Sequence, residues 1–156
     1  MSLPEVSISQ SHHNTAALVG QACPTSVTDV LDTERCRLAR HTISQWTSYE
    51  STALHSLEGL ASEIGIEGLY YKDESARFGL GSFKALGGAY AVQHVLRQAL
   101  NVDVADTNVS LDDINTQRFA DKVKNITVVT ATDGNHGRSV AWGAQRFGCQ
   151  CMIYMH

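Results

Sequence analysis

The sequence predicts an α/β fold built on a partial, truncated doubly wound parallel sheet. Three observations carry that expectation. Ile126-Thr127-Val128-Val129-Thr130-Ala131 is a short β-branched run suited to a strand buried on both faces. Cys151-Met152-Ile153-Tyr154-Met155 begins a second buried strand, and between the two Val140, Ala141, Ala144 and Phe147 line one side of a helix ending near Gly148. With the elements that precede them the order is β, α, β, α, β, which favours parallel strands joined by helices.

Taken from the start, Met1 to Gln10 has neither the basic nor the apolar region of a signal peptide, and Ser7 to Asn14 reads as a flexible lead-in. Thr25 to Ala39 predicts a short helix, with Val27, Val30, Leu31 and Leu38 near one face. Leu54, Leu57, Leu60, Ala61 and Ile64 recur at helical spacing, and Gly65 is placed to close that helix. Leu69-Tyr70-Tyr71 reads as a strand running into the charged loop Lys72-Asp73-Glu74-Ser75, a solvated loop with local ion pairs that positions its surroundings. Ser82 can cap a helix that continues to about Leu100 despite Gly87 and Gly88, each of which costs about 1 kcal/mol against alanine. Their retention implies close packing or a nearby cofactor. Asn101 to Lys124 is polar and predicts a surface excursion with a short helix around Leu111 to Phe119.

At 156 residues the chain is long enough for one domain with a core, and 43% hydrophobic with 18% charged residues fits a globular protein. The net charge of -4 and the scattered Lys and Arg argue against nucleic acid as a partner. No apolar run approaches the roughly 20 residues that span a bilayer, so no membrane partner and a cytoplasmic location are expected. Cys149-Gln150-Cys151 is too tight for an ordinary disulfide, and no zinc-ligand spacing occurs among Cys23, Cys36, Cys149 and Cys151. These read as buried, reduced thiols, with no metal site.

Two polar segments carry the chemistry. Gly81-Ser82-Phe83-Lys84-Ala85-Leu86-Gly87-Gly88 sets one lysine among small residues at a strand-to-helix junction. Thr130-Ala131-Thr132-Asp133-Gly134-Asn135-His136-Gly137 lies at another. Two such loops on one sheet edge suit a carbonyl cofactor. A lysine that attacks a carbonyl must do so uncharged, which predicts a partly desolvated pocket around Lys84.

With both motifs in view, residues from about Trp46 to Tyr154 resemble the N-terminal part of a fold-type II pyridoxal-phosphate enzyme, the tryptophan-synthase-β-like superfamily. Ser82-Phe83-Lys84 is similar to its cofactor-lysine motif and Gly134-Asn135-His136 to its second cofactor loop. The finer resemblance is to the diaminopropionate ammonia-lyase family, across Lys72 to Leu80, Phe83 to Gly88 and Thr130 to Arg138. The resemblance implies a lead-in over residues 1–45 and the N-terminal portion of a lyase domain over 46–156. It implies pyridoxal 5'-phosphate as cofactor, with Phe83, Lys84, Gly134 and Asn135 binding it. Lys84 would hold the cofactor covalently and carry a proton, and Asn135 would bond the ring hydroxyl. Asp133 would take the α-proton from the face opposite Lys84, serving both D- and L-2,3-diaminopropionate, and Thr132 would help bind the substrate carboxylate. Lys84 and Asp133 are thus the catalytic candidates, and Thr132 and Asp133 the substrate-binding ones. His136 reads as structural.

The activity so implied is amino-acid catabolism by α,β-elimination, giving pyruvate and ammonia, in an enzyme that is a homodimer when complete. Family members are generally more than twice this long. Their glycine-rich phosphate loop and their pyridine-nitrogen contact have no counterpart here, so this chain is expected to be inactive alone. A non-catalytic truncated product acting as a binding partner is the alternative from another class. A serine or threonine dehydratase is a third reading, against which Asp133 argues, since those families carry a small residue there. Glu50-Ser51-Thr52-Ala53-Leu54 stands where the family has Pro-Thr-Pro-Leu.

Overall fold

The computed structural model describes Thr15, residues 20–103 and residues 108–155. The expected lead-in over Ser7 to Asn14 lies outside the described residues. The chain forms two compact units, 1–33 and 34–156. In the first, α1 is a single turn, Thr25–Thr28, and Val27, Val30 and Leu31 are exposed. The helix expected over Thr25 to Ala39 is therefore interrupted. Pro24 starts α1, and a new helix, α2, runs over Thr33–Ser44 with Leu38 exposed.

The second unit holds α2 from Glu34 onward and every other element. β1 (Leu54–Ser56) pairs antiparallel with β2 (Tyr70–Lys72), with His55 opposite Tyr71. Between them α3 (Glu58–Ile64) ends at Gly65 in the left-handed conformation. Leu54 thus belongs to a strand and not to the helix its spacing predicts: pairing with β2 satisfies its backbone, and three apolar residues with helical spacing cannot outweigh that. Next come α4 (Lys84–Asp103), α5 (Leu111–Asn115), α6 (Ala120–Val123), β3 (Thr127–Ala131), α7 (Gly134–Phe147) and β4 (Gln150–Tyr154). β3 and β4 pair in parallel, Thr127 beside Gln150 through Ala131 beside Tyr154. The α/β class is that parallel strand–helix–strand unit. β2, which the chain order offered to the same sheet, pairs with β1 instead.

The core lies between α4 and α7 and against β3, around Ala89, Val92, Leu96, Leu100, Val128, Val140, Ala144 and Phe147. Trp46 closes one end, its ring 6.0 Å from both Trp142 and Phe147. The stretch read as a surface excursion contributes to this core. Val109, Leu111, Ile114 and Val123 are buried, and a capping box between Ser110 and Asp113 starts α5. Its polar residues face outward while every third or fourth one is apolar, too short a run for periodicity to register.

Both predicted buried strands are buried on one face at most. In β3 only Val128 is buried, while Val129 is 59% exposed; in β4 Met152 and Tyr154 stand open. α7 covers one side of the pair, and nothing among the described residues covers the other. The thiols differ from expectation for the same reason. Cys23, Cys36 and Cys151 are exposed, and Cys149 alone is half-buried, its thiol pushed up chiefly by burial. No described helix is long and apolar enough to cross a membrane.

Candidate functional site

The two polar motifs start the two central helices. Lys84 is the first residue of α4, and its backbone N–H donates to Ser82 Oγ at 3.2 Å. Phe83 precedes it, 62% exposed, its carbonyl accepting from Leu86 N–H. In the second motif Thr132 leaves β3 with its N–H donating to the Tyr154 carbonyl, and Asp133 follows as the N-cap of α7. Asp133 makes no side-chain cap, so its carboxylate is not spent on the helix. Gly134 opens α7 at φ +54°, a left-handed backbone that a side chain would strain. Asn135 and His136 are exposed in the first turn, and the His136 carbonyl accepts from Ser139 Oγ at 2.7 Å.

The helices that follow, α4 and α7, pack closely. A Cβ at Gly88 would stand 2.2 Å from Ser139 Oγ, and one at Gly143 would stand 2.7 Å from Ala89 Cα and 3.5 Å from Val92 Cβ. Gly88 therefore lies against Ser139, and Gly143 against Ala89 and Val92. Lys84 and Asn135 each stand in the first turn of one of these two packed helices, whose unpaired N–H groups and dipoles favour a carboxylate or phosphate. Lys84 is exposed, not sunk in the partly desolvated pocket expected of it. The described residues place a layer on only one side of these starts.

A larger cleft lies elsewhere. About 800 Å³ in volume, it is lined by Arg77, Phe78, Trp142 and Arg146 among others, toward the C-terminal end of α7. Its wall holds what sequence reasoning missed. Arg77 is 5% exposed, and its Nε donates to Glu74 Oε2 at 2.7 Å. Its Nη1 donates to the Glu50 carbonyl and its Nη2 to Thr52 Oγ1. Thr52 Oγ1 in turn donates to Glu74 Oε1, and the Thr52 carbonyl accepts from Lys72 Nζ. Where the resembling family has prolines, a polar network thus holds the chain in its turn. Of the charged loop, Lys72 and Ser75 stay exposed as expected, while Glu74 forms a largely buried ion pair with Arg77. An Arg three residues after a Glu was the only available signal. Phe78, at φ +48°, stacks on Trp142 at 4.5 Å between ring centres.

The Arg77 guanidinium, helped by Thr52, holds the Glu74 carboxyl down from 4.5 to about 2 against the opposing effect of burial. A carboxyl depressed in the folded state stabilises the fold above its unfolded pKa, and that contribution fades as pH falls toward about 2. Stability of the 156-residue chain should therefore decline between about pH 4.5 and 2, and Glu74→Gln should flatten that decline. Urea midpoints measured at intervals across that range check it; an unchanged acid limb in the variant would remove Glu74 from the account. Arg77→Ala, which strands the buried carboxylate, should cost about 3 kcal/mol at neutral pH.

Comparison with known proteins bears on this arrangement. The chain matches the family described as "Pyridoxal-phosphate dependent enzyme" over residues 46–156. It is 44% identical over 108 residues to diaminopropionate ammonia-lyase of Salmonella typhimurium, a match covering 69% of this chain and 26% of that protein. With the Escherichia coli K12 diaminopropionate ammonia-lyase it shares 38% over 122 residues, covering 78% and 29%. Crystal structures of the Escherichia coli diaminopropionate ammonia lyase in apo and in holo form superpose on it with TM-scores of 0.67 at 36% identity. Those alignments cover 79% of this chain and 32% and 30% of the solved chains. The chain spans between a quarter and a third of the length of these relatives.

The residues present fit the amine-and-ring side of pyridoxal phosphate. Lys84 offers an open primary amine, Asn135 an open amide one helix away, and the Gly88–Ser139 contact leaves no bulk between their helices. A phosphate-holding loop is not among the described residues.

Proposed function

Since this chain belongs to the pyridoxal-phosphate-dependent enzymes, we propose that it supplies the lysine-and-asparagine side of a lyase site that eliminates ammonia from 2,3-diaminopropionate. The observation that supports the reading is that Lys84 and Asn135 each open one of two helices, α4 and α7, that pack closely through Gly88 and Gly143. The similarity to diaminopropionate ammonia-lyases and the carboxylate at Asp133 supply the substrate class.

When bound, pyridoxal phosphate supplies an electron sink for the carbon that bears the substrate's amine. Lys84 would hold the cofactor through its Nζ and would carry a proton to or from the substrate's Cα on its own face. Asn135 would hold the ring hydroxyl. Thr132, at the β3–α7 junction, orients the substrate carboxylate toward the two helix N-termini. Asp133 stands free of any capping bond and removes the α-proton on the opposite face. Loss of the Cα proton expels the β-amino group as ammonia; the released enamine takes up water and gives pyruvate and a second ammonia. By itself the 156-residue chain supplies one part of this site and is inactive.

The test joins this chain to the remainder of the Salmonella typhimurium relative and compares Asp133→Asn with the parent. Pyruvate release from one enantiomer of diaminopropionate should fall about 10³-fold while the other keeps most of its rate, because only one α-proton faces the carboxylate. Equal losses on both enantiomers would reduce Asp133 to a structural residue and remove the two-base reading.

A further inference from the structure

The parallel pair β3–β4 turns alternate residues to its two faces. Val128 enters the core, and Ile153 Cδ1 stands 3.5 Å from where a Cβ at Gly137 on α7 would lie. The opposite face carries Thr127, Val129 and Ala131 beside Gln150, Met152 and Tyr154, with Val129 opposite Met152 and Ala131 opposite Tyr154. All six are exposed and none is charged. Thr127 Oγ1 donates to Gln150 Oε1 at 3.3 Å, a polar margin at one end, and Val129, Met152 and Tyr154 make the rest apolar. Parallel strands occur almost only where helices cover both faces of their sheet. Among the described residues α7 covers one face, so the other is fitted to receive a helix.

We propose that this open face is a docking surface for the portion of a diaminopropionate ammonia-lyase that lies beyond the matched region, and that the two assemble without a peptide bond between them. The choice of occupant rests on the lyase reading given above. Length supports it: the match covers 26% of the Salmonella typhimurium relative and 29% of the Escherichia coli one, so most of each protein lies outside it. Position supports it too. Just past the paired strands Thr132 N–H donates to the Tyr154 carbonyl, and Asp133 follows as the N-cap of α7. A helix laid over Ala131 and Tyr154 therefore borders Asp133, on a side of the site that the described residues leave open. A second copy meeting this face with its own would stack sheet on sheet, which parallel strands do not favour. The partner surface is a helix with an apolar, uncharged stripe, because a charge buried against Val129 and Met152 would find no counter-ion there.

The experiment co-expresses the tagged 156-residue chain with the remainder of the Salmonella typhimurium relative as a separate polypeptide. Size-exclusion chromatography with light scattering reads what the tag recovers, and a one-to-one complex is expected. Val129→Lys and Met152→Lys should each lower the recovered complex about tenfold or more, since each buries an unpaired ammonium. Both side chains are exposed in the chain alone, so circular dichroism should find both variants folded. Val95→Lys, at an exposed position of α4, should assemble like the parent. A complex that forms but releases no pyruvate supports the docking surface and counts against the lyase reading. Failure to form a complex overturns the docking surface, and the activity of the covalent fusion then reports separately on the lyase reading. A homodimer of the chain that Val129→Lys abolishes would give the face to a second copy. That result, or an equal loss with Val95→Lys, would also overturn the proposal.

Discussion

Lys84→Ala should lower pyruvate release by about 10³-fold or more when this chain is joined to the remainder of a diaminopropionate ammonia-lyase. The size of the effect follows from the two tasks given to one amine, covalent attachment and proton transfer, neither of which alanine can perform. In the parent protein, borohydride reduction followed by peptide mapping should place the pyridoxyl group on Lys84. Lys72 is the informative competitor, since its Nζ is held by the Thr52 carbonyl at 2.5 Å and so is not free to attack. Finding the label on Lys72, or on no lysine of this segment, would sink the assignment.

The second large effect concerns the close contact between α4 and α7, the helices that begin at the two polar motifs. At Gly143 an added methyl meets Ala89 Cα at 2.7 Å, which is backbone and cannot swing aside. Gly143→Ala should therefore cost about 1–3 kcal/mol through overpacking, although alanine is the better helix former. Gly143→Val should cost more and push α7 off α4. The control is Gly87→Ala on α4. Nothing lies within 4 Å of a Cβ there, so this change should be neutral or stabilising by about 0.5–1 kcal/mol. Thermal unfolding of the three variants decides the matter. A Gly143→Ala chain as stable as the parent would mean that α4 and α7 do not approach as closely at Gly143 as described.

The contrast between Gly87 and Gly88 shows where sequence reading stops. Both glycines interrupt the same predicted helix and both suggest close approach, yet only Gly88 meets a neighbour, Ser139. That neighbour is 51 residues away, and no local pattern connects the two. The helix starts around Lys84 and Asn135 were legible because short polar motifs at strand-to-helix junctions depend on nearby residues: a cap, a turn glycine, a helix start. Arg77 was legible only as one charge in a loop. Its burial depends on Glu50 and Thr52 folding over it, and its partner Glu74 needed no motif to be found there.

Local chemistry in the sequence determined the helix starts at Lys84 and Gly134, the strand at Thr127–Ala131, the left-handed ends at Gly65 and Gly148, and the residue types offered to a carbonyl cofactor. These follow from interactions within a few residues, where propensity and capping dominate. Tertiary structure alone decided that β2 joins β1 and not β3, that Leu54 is strand, that Val109 and Ile114 enter the core, and that β3 and β4 keep one open face. Each of those outcomes depends on what a segment packs against. Burial is a property of pairs of surfaces, and the free energy that settles it lies in contacts between residues far apart in the chain.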